Sequence, residues 1–282
     1  MMGNTVKIFI INLKQDIQRK EYMQKLCDRY GLSVTFFEAI EGSKLSGNVI
    51  ESVYLEEKTI KKIKRGLSKG EIGCVLSHKK IYQKMLDENI EKAVIFEDDI
   101  KFDKNLINFL NNNVNFPSNA ELVLLGYWFY GLNKIELLIS YRKQVQLTNG
   151  LKLVRFIRNV HGTYGYIVTL DGAKKLLNHL NKGIYMPIDH YTGNEELINL
   201  YGIYPPLIKL SDRFDVTTEL EKERKKERIK YSSTVIQNKS IKNFFKKLKL
   251  FSIVKKIYLI YSIGKRDFFY LMQRLINKKD YE

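Results

Sequence analysis

Proline is scarce, four residues in a chain of 282, and glycine supplies only seventeen. That excludes a collagen-like or low-complexity disordered chain and leaves a folded globular body. Cysteine is nearly absent: Cys27 and Cys74 have no C-x-x-C spacing, and each falls inside an apolar helical pattern. Two reduced core thiols in a cytosolic protein are expected in preference to a disulfide or a metal site. Long apolar runs are missing as well, since no stretch approaches the roughly 20 apolar residues of a membrane span. The opening MMGNTVKIFIINL has one lysine, a short apolar run and no small-residue cleavage site, so it reads as a first buried strand rather than a signal peptide. A cytoplasmic location is expected.

What is present is 44% hydrophobic and 12% aromatic, enough for one large domain or one and a half. The net charge of +17 is unevenly spread: residues 221–282 hold 18 Lys+Arg against 6 Asp+Glu, whereas residues 1–220 hold 30 against 25. A nearly balanced body with a basic tail argues against a nucleic-acid-binding protein, the main rival from another class, and for a separate anchoring task in the tail. The expected division is a body over 1–220 and a basic helical tail over 221–282.

Along the chain, residues 6–12 (VKIFIIN) read as a buried strand, 16–30 as a helix with Ile17, Met23, Leu26 and Cys27 inward, and 34–38 as the next strand. Strand, helix, strand in this order predicts a βαβ unit and a parallel sheet. A short helix is expected near 55–64 and a long one over 70–89, where Ile72, Val75, Leu76, Tyr82, Met85 and Leu86 recur at helical spacing. Strands follow at 92–97, 121–127 and 165–169, helices at 103–112, 171–180 and 189–201, and an extended segment at 203–210. Residues 128–160 read as irregular or hairpin-like.

The sharpest chemical feature is VIFEDDI (94–100), in which an apolar strand ends in Glu97, Asp98 and Asp99. Ligands of open α/β sheets bind outside the carboxyl ends of the strands. Three adjoining carboxylates repel one another unless a cation is present. Alternate residues of an extended segment face the same way, so Glu97 and Asp99 can address one ion. Oxygen ligands of this kind suit Mg²⁺ or Mn²⁺, which can also bridge a diphosphate. The plainer alternative is an acidic cap for the following helix.

Five blocks, IFIINLKQDIQRKEYM (8–23), LSKGEIGCVLSHKKIYQKML (67–86), VIFEDDI (94–100), HGTYGYIVTLDGAKKLL (161–177) and MPIDH (186–190), resemble in order and spacing glycosyltransferase family 25. That family includes bacterial lipooligosaccharide galactosyl- and glucosyltransferases and collagen galactosyltransferases. The resemblance spans about residues 5–215. It implies an α/β, GT-A-like nucleotide-binding fold with a mostly parallel sheet. It also implies a UDP-sugar donor (galactose favoured, glucose the alternative), a lipooligosaccharide or lipopolysaccharide acceptor, and inversion at the anomeric carbon.

On that footing the blocks acquire roles. Asn12 and Leu13 close the first strand, where a nucleotide would lie, and Arg19 on the next helix reaches a phosphate or an acidic partner. Ser68 and Glu71 have the spacing of a capping box, and exposed amides at such a helix start bind phosphate or sugar oxygens, so Glu71 is either structural or a donor contact. Ser77 lies one turn after Gly73, and His78 one turn after Cys74; both join the donor set, as do Glu97 and Asp98. His161, Gly162 and Thr163 precede an apolar strand and allow close approach by the substrate. Asp189 beside His190 is the candidate base, with Glu195 and Glu196 as alternates, and Glu97, Asp99 and His190 are the candidate metal ligands. Beyond the charge run at 219–233, residues 241–276 mix lysine pairs with bulky aromatics, a composition suited to lying on an anionic membrane beside its acceptor. The alternative is packing of the tail on the body or in a dimer; oligomeric state stays open.

Overall fold

The computed structural model describes residues 6–111, 116–128, 139–140, 144–157, 159–214 and 219–230. In chain order the elements are β1 (Lys7–Asn12), α1 (Ile17–Arg29), β2 (Thr35–Glu38), α2 (Gly47–Val53), α3 (Glu56–Ile63), α4 (Lys69–Asp87), β3 (Lys92–Glu97), β4 (Ile100–Phe102) and α5 (Lys104–Asn111). They continue as β5 (Leu122–Leu124), β6 (Val145–Gln146), β7 (Lys152–Val154), β8 (Gly165–Thr169), α6 (Leu170–Asn181), α7 (Ile188–Thr192), β9 (Leu200–Tyr204), β10 (Ile208–Leu210) and α8 (Glu219–Lys230).

Among the described residues eight strands form one sheet in the order β2-β1-β3-β8-β5-β9-β7-β6, and β4 pairs with β10 beside it. β1 lies parallel to both β2 and β3, and β5 parallel to β9. β8 runs against β3 and β5, and β7 against β9 and β6. Six of the eight strands therefore share one direction, which makes the chain an α/β protein with a mainly parallel sheet. The expected βαβ unit is β1–α1–β2.

Burial explains why β3 reads as an unbroken apolar run. Side chains alternate across a strand, and both faces here are covered. Ala93 and Ile95 join a core with Ile72, Val75, Tyr82 and Met85 of α4 and Leu176, Leu177 and Leu180 of α6. Val94 and Phe96 join the opposite core with Met23, Leu26 and Cys27 of α1 and Leu106 and Phe109 of α5. Each such side chain contributes about 1.5–3 kcal/mol by leaving water. The central strand is thus pinned from both sides, and its acidic end is held at the carboxyl edge of the sheet.

The long helix α4 begins as its sequence predicts. Ser68 Oγ accepts from the Glu71 amide at 3.2 Å, and Glu71 Oε2 accepts from the Ser68 amide at 3.0 Å. Gly42 and Gly73 let the 39–44 loop press against this helix: a Cβ on Gly73 would meet the Ile40 carbonyl oxygen at 2.6 Å.

Several expectations are corrected. Ile17 is 62% exposed, because it lies roughly 120° around the helix from Met23 at 100° per residue. The helix expected over 189–201 shrinks to α7, followed by turns at 195–198 and strand β9, which is drawn into the sheet beside β5. The strand expected over 121–127 is ordered only at Leu122–Leu124. Helix α2 has no counterpart in the sequence reading. The hairpin-like character of 128–160 survives in the antiparallel pair β6 and β7. Residues 231–282, most of the expected tail, lie outside the described residues. Among the described residues no helix is long and apolar enough to cross a membrane.

Candidate active site

The carboxyl ends of β1 and β3 are neighbours, with Ile11 opposite Glu97. That register delivers Asn12 to the acidic turn. Asn12 Nδ2 donates to Asp98 Oδ2 at 2.7 Å and to the Asp16 carbonyl at 3.2 Å. From α1, Arg19 Nη1 donates to Asp98 Oδ1 at 2.9 Å and to Asp99 Oδ2 at 3.4 Å, while its guanidinium carbon lies 5.1 Å from the centre of the Phe214 ring. Both oxygens of the buried Asp98 are therefore engaged within the protein. Leu13 sits at the turn into α1, its carbonyl accepting from the Asp16 amide.

Asp99 and Glu97 are placed differently. Asp99 Oδ1 is buried without a hydrogen-bond partner. Burial and the neighbouring Glu97 push the Asp99 carboxyl up to about 7. Burial, then the charges of Asp98 and Asp189, push Glu97 to about 7 as well. An orphaned carboxylate oxygen, and carboxyls held from ionising by one another, are what a divalent cation would relieve. These are the two residues expected to hold a hard ion; the groups of three potential ligands within 4.8 Å, however, place Glu97 with Cys74 and His78 and do not include Asp99.

The helix α4 contributes three expected residues with unequal freedom. Glu71 is buried, gripped by Arg65 (Nη1–Oε2 2.6 Å, Nη2–Oε1 2.7 Å) and by Arg224 of α8 (Nε–Oε1 2.9 Å). Burial would raise its pKa, but the hydrogen bonds and charge of Arg65, aided by Arg224, hold it below the usual range. Its oxygens are committed to the capping box and these two arginines. The Gly70 amide, one of those expected to meet a donor oxygen, donates to Glu223 Oε2 of α8 at 3.1 Å. Ser77 Oγ donates to the Gly73 carbonyl at 2.7 Å and accepts from the Ile40 amide at 2.8 Å, tying the helix to the 39–44 loop. His78 is fully buried, and burial pushes it down to about 3, so its ring is neutral. Its Nδ1 shares a proton with the Tyr166 hydroxyl at 2.7 Å, and that hydroxyl meets the Tyr82 hydroxyl at 2.7 Å. His78 Nε2 has no hydrogen-bond partner and lies 3.9 Å from Glu97 Oε1.

A second cluster brings together His161, Asp189 and His190. His161 Nδ1 is 3.5 Å from Asp189 Oδ2, and the two imidazole rings are 4.8 Å apart. Gly193 allows this: a Cβ there would stand 1.9 Å from the Val160 carbonyl oxygen, so only glycine lets α7 end against residue 160. Gly162 has φ +114°, a region favouring glycine, and Thr163 is buried beside it. Burial would raise the Asp189 carboxyl, but His161 and His190 overcome this and hold it low. His190 is pushed down by burial against the pull of Asp189. His190 thus groups with Asp189 rather than with Glu97 and Asp99, although Asp189 and Glu97 feel each other's charge.

The alternates are placed less favourably. Glu195 accepts from Arg155 at 3.3 and 3.4 Å and from the Phe156 amide at 3.0 Å, and Glu196 is exposed on a turn. Neither lies on a helix. Missed by sequence reasoning were Arg65, Arg224, Tyr166 and Cys74. Arg224 and Tyr166 act across 153 and 88 residues, whereas Arg65 is six residues from Glu71 and the Cys74–His78 spacing was visible.

An open cleft of about 670 Å³ lies beyond the ends of β1 and β2, lined by Lys14, Gln15, Phe37, Glu38, Lys44 and Lys80 among others, and none of the three acids of the turn lines it. An aromatic ring and three lysines at the carboxyl edge of the sheet suit a nucleotide.

The acidic turn and the histidine-flanked aspartate, whose carboxylates feel each other's charge, mark the candidate active site. The chain belongs to glycosyltransferase family 25 (LPS biosynthesis protein), whose family model matches residues 5–192. It is 27% identical over 198 residues to a procollagen galactosyltransferase 2 of Homo sapiens, covering 66% of this chain and 29% of that protein. It is 31% identical over 192 residues to a glycosyltransferase 25 family member of Aedes aegypti, covering 65% and 30%. The chain thus spans about three-tenths of the length of these curated relatives. A solved glycosyltransferase involved in the glycosylation of the major capsid of PBCV-1 overlaps at 12% identity over 62% of this chain and 64% of that one, with a TM-score of 0.33, too slight to carry an argument.

Proposed function

We propose that this chain is an inverting hexosyltransferase that moves galactose, with glucose as the alternative, from a UDP-sugar to a lipooligosaccharide or lipopolysaccharide hydroxyl. The galactose preference follows the names of its relatives. The observation that carries the reading is the pair Glu97 and Asp99, two partly buried carboxyls each raised to about 7, with an orphaned oxygen on Asp99, at the carboxyl edge of a sheet that also bears a nucleotide-sized cleft.

Mn²⁺ or Mg²⁺ bound by Glu97 and Asp99 would supply Lewis-acid stabilisation of the leaving diphosphate. Every other part falls to the chain itself. Asn12 and Arg19 fix Asp98, which holds the acidic turn rigid, and Arg19 also offsets part of the charge on Asp99. Lys14, Lys44 and Lys80 attract the donor phosphates. Asp189, ionised between two histidines, accepts the proton of the acceptor hydroxyl at a carboxylate oxygen. His161, Gly162 and Thr163 form the wall beside it.

We further propose that residues 241–276 attach the protein to the anionic cytoplasmic face of the membrane. A screen of UDP-hexoses with and without Mn²⁺, scored by UDP release, tests the enzymatic reading. Metal-dependent turnover of UDP-galactose is the expected result; no UDP release from any UDP-hexose in the presence of a lipooligosaccharide acceptor would reject it.

A further inference from the structure

Cys74 and His78 are four residues apart on α4 and so share one face of it. That face looks at the end of β3. The Cys74 Sγ, a His78 ring nitrogen and a Glu97 carboxylate oxygen all lie within 4.8 Å of one another. An i, i+4 pair on a helix completed by a carboxylate from a neighbouring element is a recurrent way of holding zinc.

The histidine makes this more than a coincidence of residue types. His78 is fully buried, and its Nε2 has no hydrogen-bond partner while facing Glu97 at 3.9 Å. A buried ring nitrogen left unsatisfied is costly. The opposite nitrogen is anchored: Nδ1 is hydrogen-bonded to the Tyr166 hydroxyl, which meets the Tyr82 hydroxyl, and in the tautomer that carries the proton on Nδ1 the lone pair of Nε2 faces Glu97. A metal-binding histidine is oriented in just this way by a partner on its other nitrogen. Cys74 is only partly buried, and the Glu97 side chain is 30% exposed, which is the open side of the group.

We propose that Cys74, His78 and Glu97 form a second, overlapping cation site for a thiophilic divalent ion, Zn²⁺, with the fourth position left to water. Its donors are one sulfur, one nitrogen and one oxygen, which select Zn²⁺ over Mn²⁺ or Mg²⁺. Binding displaces the thiol proton to solvent. Glu97 is shared with the hard-ion site of the proposed glycosyl transfer, so Zn²⁺ held here withdraws that carboxylate and inhibits the reaction. The inhibition rests on the proposed function; the binding does not.

Cobalt tests the binding without donor or acceptor. The metal-free full-length protein is titrated with Co²⁺ and read by thiolate-to-cobalt charge-transfer absorption, with Zn²⁺ added last. The expected result is a band that saturates, is bleached by Zn²⁺, survives Cys27→Ala, and is lost in both Cys74→Ala and Cys74→Ser. No band in folded wild-type protein, or a band undiminished in folded Cys74→Ser, overturns the site. For the regulatory consequence, Cys74→Ser should retain Mn²⁺-dependent transfer and lose its sensitivity to Zn²⁺. Equal zinc inhibition of wild type and Cys74→Ser would overturn that consequence.

Discussion

Glu71→Gln separates a structural role from a donor contact at the start of α4. In the native protein the carboxylate is buried, accepts the fork of Arg65 at 2.6 and 2.7 Å and a bond from Arg224 at 2.9 Å, and closes the capping box on Ser68. The amide keeps a carbonyl to accept from Ser68 but removes the charge that compensates Arg65, whose side chain is 13% exposed. Losing one partner of a buried pair costs about 3–5 kcal/mol. Arg65 retains a bond to the Gly66 carbonyl at 2.7 Å, so the lower end applies, about 3 kcal/mol. At about 2–4 °C per kcal/mol, the melting temperature should fall by roughly 6–12 °C. The folded Glu71 pKa is depressed, so its contribution is present above the unfolded value of about 4.3 and is lost as pH falls through the folded value. Thermal melts of both proteins from neutral to acid pH should therefore converge. Where both are folded, the KM for donor should match. Equal stability at neutral pH, or a folded variant whose donor KM alone collapses, would refute this reasoning.

Other outcomes follow from the same geometry. Asp189→Asn should lower kcat by about 10²–10⁴-fold with donor binding intact, measured by steady-state kinetics; full turnover would remove Asp189 as the base. The raised carboxyls of Glu97 and Asp99, each pushed to about 7, bind protons more tightly folded than unfolded. Metal-free protein should therefore lose stability as pH rises from about 4.5 through 7, and Mn²⁺ affinity should weaken as pH falls below 7, both followed by calorimetry. Replacing the lysine pairs 246–247 and 255–256 by glutamate should abolish cosedimentation with anionic vesicles; unchanged pelleting would remove the membrane role of the tail.

Much of the fold was legible because several signals agreed locally. VKIFIIN and KAVIFE carry the apolar density of strands covered on both faces, and Ser68 with Glu71 marks the start of α4 to the residue. The acidic turn was legible as three adjoining carboxylates at the end of such a strand. Misreadings arose where tertiary contacts decided the outcome. The apolar spacing of residues 197–203 is compatible with helix or strand, and pairing with β5 drew Leu200–Gly202 into the sheet. Helix α2 is short and polar, and only Ser46, whose hydroxyl accepts from the Val49 amide, announces it. Glu71 could not be assigned because its arginine partners come from outside its helix, one of them 153 residues away. His190, expected beside Glu97 and Asp99, is instead grouped by the short α7 with His161 and Asp189 as potential metal ligands.

The most direct measurement is Mn²⁺ binding followed by electron paramagnetic resonance in the presence of UDP-galactose, with sugar transfer measured alongside, for wild type, Glu97→Gln and Asp99→Asn. Loss of bound Mn²⁺ and of transfer in both folded variants is predicted. Wild-type manganese binding together with undiminished transfer in either variant would contradict the account.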